Sequence, residues 1–207
     1  RLTNLINFNY EQNNEYDTEE EEKYIEERPK DTLPELYPIG LALGTYIVCE
    51  NEKGIYLIDQ HAAEERINYE RNSYLLAHPS GNTITPLIPI IIELPNNEFI
   101  KVKENIDILD SLNIKVEEFG SNSYRILSHP TWFTKGREKE IISKIFEDIT
   151  NKGKDFSLAK FNDNLAKLVS CKMSIKANTR ITKEAQEEII NKLRMCNNPF
   201  NCPHGRP

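Results

Sequence analysis

The densest group of side chains able to ligate a metal or move a proton in this 207-residue chain is Asp59-Gln60-His61-Ala62-Ala63-Glu64-Glu65. It stands where an apolar strand-like run gives way to a helix-like one, a junction at which scaffolds present functional groups. His61 and Glu65 are four apart, so on a helix they share a face and can either converge on one ion or pair with each other. Glu70 lies five residues beyond Glu65 and about 140° around the helix, which excludes it from the same ligand set and gives it a salt-bridging or supporting role. Asp59 precedes the helix, where a short carboxylate serves as an N-cap or as a ligand. Glu64 reads as a surface residue. The spacing is not the HExxH pattern of zinc hydrolases.

A second candidate is Cys202-Pro203-His204-Gly205-Arg206-Pro207. A Cys and a His two apart on a loop bounded by Pro and Gly can grip one cation, and a thiolate donor selects zinc over magnesium. The bland alternative is a buried Cys beside a surface His. Cys171 is either a further thiolate from a long helix or a small core residue. Cys49 reads as core strand and Cys196 as loop, and His78 and His129, each before a proline, read as loop residues. Four cysteines without a secretory signal indicate a reduced, cytosolic setting and not a disulfide scaffold.

The elements that must position these groups begin near Leu33-Pro34. A strand over Ile39 to Cys49, a turn at Asn51-Glu52-Lys53-Gly54 and a strand over Ile55 to Ile58 form a hairpin. A helix from Ala62 to about Leu76 follows, with its N-terminus at Asp59 to His61. Next come a strand over Leu87 to Leu94, a helix over Glu98 to Leu112, strands over Lys115 to Phe119 and Ser123 to Leu127, and a helix from Arg137 to Asn151. A helix over Leu158 to Ala177 and another after Thr182, its N-cap, lead into the final loop. The class is α+β, with a compact inserted block that has its own small core.

Hydrophobic residues make up 38% of the chain, enough for a core. The longest mainly apolar stretch falls short of the ~18 residues of a membrane span, so none is expected. The net charge of −7 is uneven. Residues 1–31 carry ten acids against four bases and read as a disordered acidic linker. The remainder holds 22 bases and 23 acids, without the basic excess that would hold DNA by phosphate contacts alone.

Taken together, DQHAAEERINYE at 59–70, SCKMSIKAN at 170–178 and CPHGRP at 202–207 closely resemble the C-terminal domain of the MutL family of DNA mismatch repair proteins, in its endonuclease-bearing branch. The first segment matches that family's DQHA(X)2E(X)4E signature in full, with Asp59, Gln60, His61, Ala62, Glu65 and Glu70 at the fixed positions. The resemblance covers about residues 33–207. It implies a two-subdomain fold, with a dimerisation and endonuclease subdomain built from 32–82 and 156–207 and an external regulatory subdomain over 83–155. Residues 1–31 then correspond to the end of a linker from an ATP-binding N-terminal half.

The resemblance also implies a metal site of Asp59, His61, Glu65, Cys171, Cys202 and His204, with Asp59, His61 and Glu65 catalytic. Gln60, Glu70 and Arg206 are supporting residues. The implied ions are a structural or regulatory Zn2+ and a catalytic Mn2+, and the implied activity is nicking of one strand of duplex DNA by a homodimer in the bacterial cytosol, associated with the nucleoid. Implied partners are a MutS-type mismatch sensor and the sliding clamp. For the clamp, the Q-x-x-[L/I]-x-P motif has Leu87 and Pro89 in place but Ile84 where the Gln belongs. The sequence also stops at Pro207, short of where family members end. A reading of another class is a non-catalytic dimerisation and interaction module with a structural zinc, which the near-neutral charge of the folded part suits.

Overall fold

The computed structural model describes residues 33–79, 81–153, 156–174 and 179–206. The acidic segment 1–31 and the C-terminal end of the expected helix reaching Ala177 lie outside the described residues. The elements in order are strands β1 (Tyr37–Ala42), β2 (Tyr46–Asn51) and β3 (Gly54–Asp59), helix α1 (Gln60–Ala77), β4 (Thr83–Ile84), β5 (Ile90–Glu93), α2 (Asn96–Glu104) and α3 (Ile106–Ser111). They continue with β6 (Lys115–Glu118), β7 (Ser123–Pro130), α4 (Glu138–Thr150), α5 (Leu158–Met173) and α6 (Lys183–Arg194). The architecture is mixed α and β. The described residues resolve into two compact units, one of Ser73–Val169 and the other of the residues on either side of that span in sequence.

In the flanking unit β1, β2 and β3 form an antiparallel meander. Alternation along β2 sends Ile47 and Cys49 inward, each fully buried, while Tyr46, Val48 and Glu50 face the other way. The inward side packs with Ala63 and Ile67 of α1 and with Ile189, Ile190 and Leu193 of α6. Thr182 caps α6 by accepting a hydrogen bond from the Ala185 N–H at 3.3 Å. Burial pushes the Cys49 thiol up to about 11, as expected of a cysteine used as a small apolar core residue.

In the Ser73–Val169 unit β7 is the central strand, pairing antiparallel with β4 and β5 and, on its other edge, β6. Helix α4 buries Ile141, Ile142, Ile145, Phe146 and Ile149, one stripe at helical spacing. Tyr124 of β7 stacks on Phe99 of α2 at 4.6 Å between ring centroids and meets Phe146 edge-on at 5.6 Å.

Several local expectations are corrected. The strand expected over Ile39 to Cys49 is two strands, reversed at Ala42–Thr45, where the Thr45 N–H donates to the Ala42 carbonyl at 3.0 Å. Leu43 and Gly44 both have positive φ, 55° and 62°, the backbone a two-residue hairpin demands. Leucine gives no sequence cue for that conformation, which is why the turn was hidden in an apolar run. The helix expected over Glu98 to Leu112 is broken at Asn105, whose φ of −126° is not helical and whose amide donates to the Lys101 carbonyl. His129 is not a loop residue. It lies in β7, paired with Ile84, and is buried with its ring stacked on Phe133. Cys196 lies in the loop after α6, as expected, and is fully buried in the core of the flanking unit, whereas Glu64 is buried and not on the surface, because the middle of α1 is covered from Ala63 to Ile67.

Candidate metal centre

Asp59 ends β3 and caps the helix that starts one residue later. Its Oδ1 accepts hydrogen bonds from the His61 and Ala62 N–H groups at 2.9 and 3.0 Å. Gln60, fully buried, donates through Nε2 to the carbonyls of Gly44 at 2.7 Å and Thr179 at 2.9 Å. The start of α1 is thereby fixed by backbone from two other segments, and the residues that follow have a defined direction.

One turn on, Glu65 is the hub. It is 1% exposed, yet three other polar side chains reach it. His61 Nε2 lies 3.4 Å from Oε1, while His204 Nδ1 at 3.4 Å and Arg206 Nη2 at 3.0 Å approach Oε2. The Cys171 thiol stands close enough for the charge of the same carboxylate to act on it. Burying an isolated carboxylate is costly, so a buried Glu so surrounded marks a site organised around charge.

Cys171 stands near Glu65 because the last turn of α5 is stitched to α1. Asn72 Nδ2 donates to Ser170 Oγ at 3.0 Å and Asn68 Nδ2 to Ser174 Oγ at 3.4 Å. Cys171 is exposed, not a core residue. Loss of hydration around the sulfur and then the charge of Glu65 push its thiol up.

The loop 202–206 is a tight turn. The Gly205 N–H donates to the Cys202 carbonyl at 2.9 Å, the Cys202 N–H to the Arg206 carbonyl at 2.7 Å, and the Arg206 N–H to Cys202 Sγ at 3.3 Å. Gly205 takes φ +86°, a conformation that a side chain would strain. Cys202 first and the Glu65 carboxylate next push the Arg206 guanidinium further up, so it stays charged.

The outcome is that one ligand atom each from Glu65, Cys202 and His204 lie within 4.8 Å of one another, the one such three-residue group among the described residues. Sequence spacing alone put His61 with Glu65 and Cys202 with His204 in separate candidate sites. The fold brings Glu65 to the Cys–His loop, with His61 against its carboxylate and Cys171 near it, and all of these residues belong to the flanking unit. Carboxylate, thiolate and imidazole are zinc-type donors. Asp59 is not in that group and serves as the cap.

Glu70 faces Arg66 one turn earlier and also reaches a segment far along the chain. Its Oε2 accepts from the Asn197 N–H at 2.7 Å and its Oε1 from the Asn198 N–H at 3.1 Å. Sequence reasoning missed Arg66 altogether, because its partner is the Asn201 carbonyl, 135 positions away, and nothing local signals it.

A three-stranded antiparallel meander packed with helices, bringing one helical Glu to a Cys-His loop, defines a mixed α and β domain with a candidate metal site. The family model described as "MutL C terminal dimerisation domain" matches residues 39–181. The chain is 43% identical over 178 residues to the DNA mismatch repair protein MutL of Shouchella clausii, covering 86% of this chain and 27% of that protein. It is 40% identical over 192 residues to MutL of Listeria monocytogenes serotype 4a, covering 93% and 32%. With MutL of Ligilactobacillus salivarius the figures are 42% over 185 residues, covering 88% and 28%. The chain therefore belongs to the MutL C-terminal dimerisation domain family, and it spans less than a third of the length of these relatives.

Proposed function

We propose that this chain is the dimerisation and metal-dependent endonuclease portion of a MutL mismatch repair protein, nicking one strand of duplex DNA. The observation that carries the reading is the meeting of Glu65, Cys202 and His204 at the helix that Asp59 caps. Glu65, Cys202 and His204, with Cys171 nearby, would hold a zinc ion, and His61 would orient the Glu65 carboxylate. Asp59, immobilised by its two backbone hydrogen bonds, and His61 serve the reacting centre. Asp59 and His61 would hold a divalent cation, Mn2+ by family likeness, and such an ion would supply Lewis-acid activation of water. The test is relaxation of supercoiled plasmid with added Mn2+, with and without the sliding clamp. Nicked circles are expected, together with their loss in Asp59→Asn at unchanged zinc content. Nicking retained in that variant would overturn the assignment of Asp59.

The flanking unit supplies the homodimer contact and the Ser73–Val169 unit the regulatory surface. On the outward side of the meander, Tyr37, Ile39, Ile55 and Leu57 are each more than half exposed, with Tyr46 and Val48 between them and Glu50 the one charged side chain of the strands' middle rows. An antiparallel sheet normally turns polar residues to water, so an apolar outer face is covered by a partner, here a second copy of the same face. Leu57→Glu should convert the dimer to a species of 24.0 kDa by light scattering while zinc content stays at wild-type level. A dimer that survives it would place the interface elsewhere. The clamp contact falls to Leu87, Ile88 and Pro89, all exposed, just after the Ile84 that β4 holds against β7. MutS-type sensor and duplex DNA are the remaining partners of this reading. No described helix is long and apolar enough to cross a membrane.

The second reading, a dimerisation module with a structural zinc and no nuclease activity, is favoured by the balance of 22 bases against 23 acids beyond residue 31. Plasmid left intact by a folded, zinc-loaded dimer, with or without clamp, would select it.

A further inference from the structure

Between the buried Cys196 and the buried Cys202 runs Asn197-Asn198-Pro199-Phe200-Asn201, whose large apolar side chain, Phe200, is 59% exposed. Hydrophobic packing therefore does little to fix this segment, although it sets where Cys202 and His204 stand. The bonds that hold it are polar and come from one helix. Arg66 Nε donates to the Asn201 carbonyl at 2.6 Å, directly before Cys202. Glu70 accepts three hydrogen bonds from the same segment: from the Asn197 N–H at 2.7 Å, its side-chain amide at 3.3 Å and the Asn198 N–H at 3.1 Å. Arg66 and Glu70 are one helical turn apart and face each other at 3.7 Å between Nη1 and Oε1, with side chains only 11% and 9% exposed. The guanidinium also lies over the Tyr69 ring at 5.4 Å, which restricts its rotamer.

We propose that Arg66 and Glu70 form a polar latch that docks residues 197–201 onto α1 and so acts as a pair of positioning residues for the Cys202 and His204 ligands. The proposal rests on the metal reading of the site above. Two features make the latch suited to this role. Charge-assisted hydrogen bonds from a planar, pre-organised guanidinium and to a two-oxygen carboxylate fix direction as well as distance. In addition, Arg66 is adjacent to Glu65, so one helical segment presents a ligand and, about 100° around, the group that aligns the backbone leading to the other two. The loop is thus registered to the helix by bonds that do not involve the ion.

The test uses the full 207-residue chain and the variants Arg66→Gln, Arg66→Lys and Glu70→Gln, each checked for wild-type far-UV circular dichroism. Zinc affinity is measured by chelator competition, and exchange of the Asn197 and Asn198 amides is measured after chelator treatment. Loss of a group that orients a metal ligand typically costs about 10–100-fold in affinity, and a rise in Kd of that size is expected for Arg66→Gln and Glu70→Gln. Arg66→Lys should fall between, since an ammonium can face Glu70 but cannot reproduce the fork that also reaches Asn201. The double variant should be no weaker than the weaker single, because the two residues act as one unit. Amide exchange in the metal-free protein should accelerate in both single variants. Zinc affinity within twofold of wild type in Arg66→Gln and Glu70→Gln overturns the proposal. If the wild type binds no zinc, the metal reading fails, and the exchange measurement decides the latch by itself: protection lost in both variants supports it, and protection kept overturns it. Should Arg66→Gln fail to fold, Glu70→Gln carries the same comparison.

Discussion

Glu65→Gln is expected to abolish zinc retention and plasmid nicking together while leaving the chain folded. The substitution keeps the volume of a side chain that is 1% exposed but removes the charge on which His61, His204 and Arg206 converge. A neutral amide is a poor zinc donor, so the loss should exceed the ~10–100-fold that follows removal of a group merely orienting a ligand. Breaking a fully buried ionic cluster usually destabilises by about 3–5 kcal/mol, because the orphaned partner stays buried. Here the Arg206 side chain is 62% exposed and can turn to water, so most of that penalty does not apply. Zinc content by absorption spectroscopy, nicking and thermal melting measured on one preparation check this. Retained zinc would remove Glu65 from the ligand set.

Phe146→Ala should be the most destabilising single truncation in the Ser73–Val169 unit. Phe146 is fully buried on α4, amid Ile141, Ile142, Ile145 and Ile149, and supports the stacked Tyr124–Phe99 pair edge-on. Deleting a buried phenyl costs about 3–5 kcal/mol, from lost transfer energy and the cavity left behind. The chain has a single tryptophan, Trp132, and it lies in this unit in T-shaped contact with Phe133, so its fluorescence in a urea titration reports this unit. The midpoint should fall by the amount equivalent to that loss, whereas zinc content should not change, since Glu65, Cys202 and His204 all belong to the other unit. A midpoint shift worth less than about 1 kcal/mol would mean the cavity collapses without cost.

The helix start at Asp59, the Thr182 cap and the apolar stripe of α4 were legible because each rests on local chemistry, a capping oxygen or a 3.6-residue period. The same holds for the helical phase that kept Glu70 away from Glu65. The hairpin turn at Leu43-Gly44 was not legible, since tertiary pairing of β1 with β2 imposes positive φ on a leucine. The break at Asn105 was hidden for a related reason, as helix-compatible residues surround it on both sides. The candidate site was half legible. Its ligand types stood out in two motifs, but their merger at Glu65 and the hold of Arg66 on Asn201 depend on contacts between residues far apart in sequence.

That separation has a consequence for how the protein matures. Glu65 and Arg206, which touch at 3.0 Å, are 141 positions apart. At ribosomal speeds of about 5–20 residues per second, the carboxylate waits roughly 7–28 s for Arg206. Until then any captured zinc would find only the nearby His61 and Glu65, a weak pair. Once 202–206 arrive, an ion bound by both ends cross-links the chain around everything between them, removing the loop-closure freedom of the unfolded state. If the site takes zinc as proposed, loading follows the synthesis of residues 202–206 and reports that they have docked at Glu65.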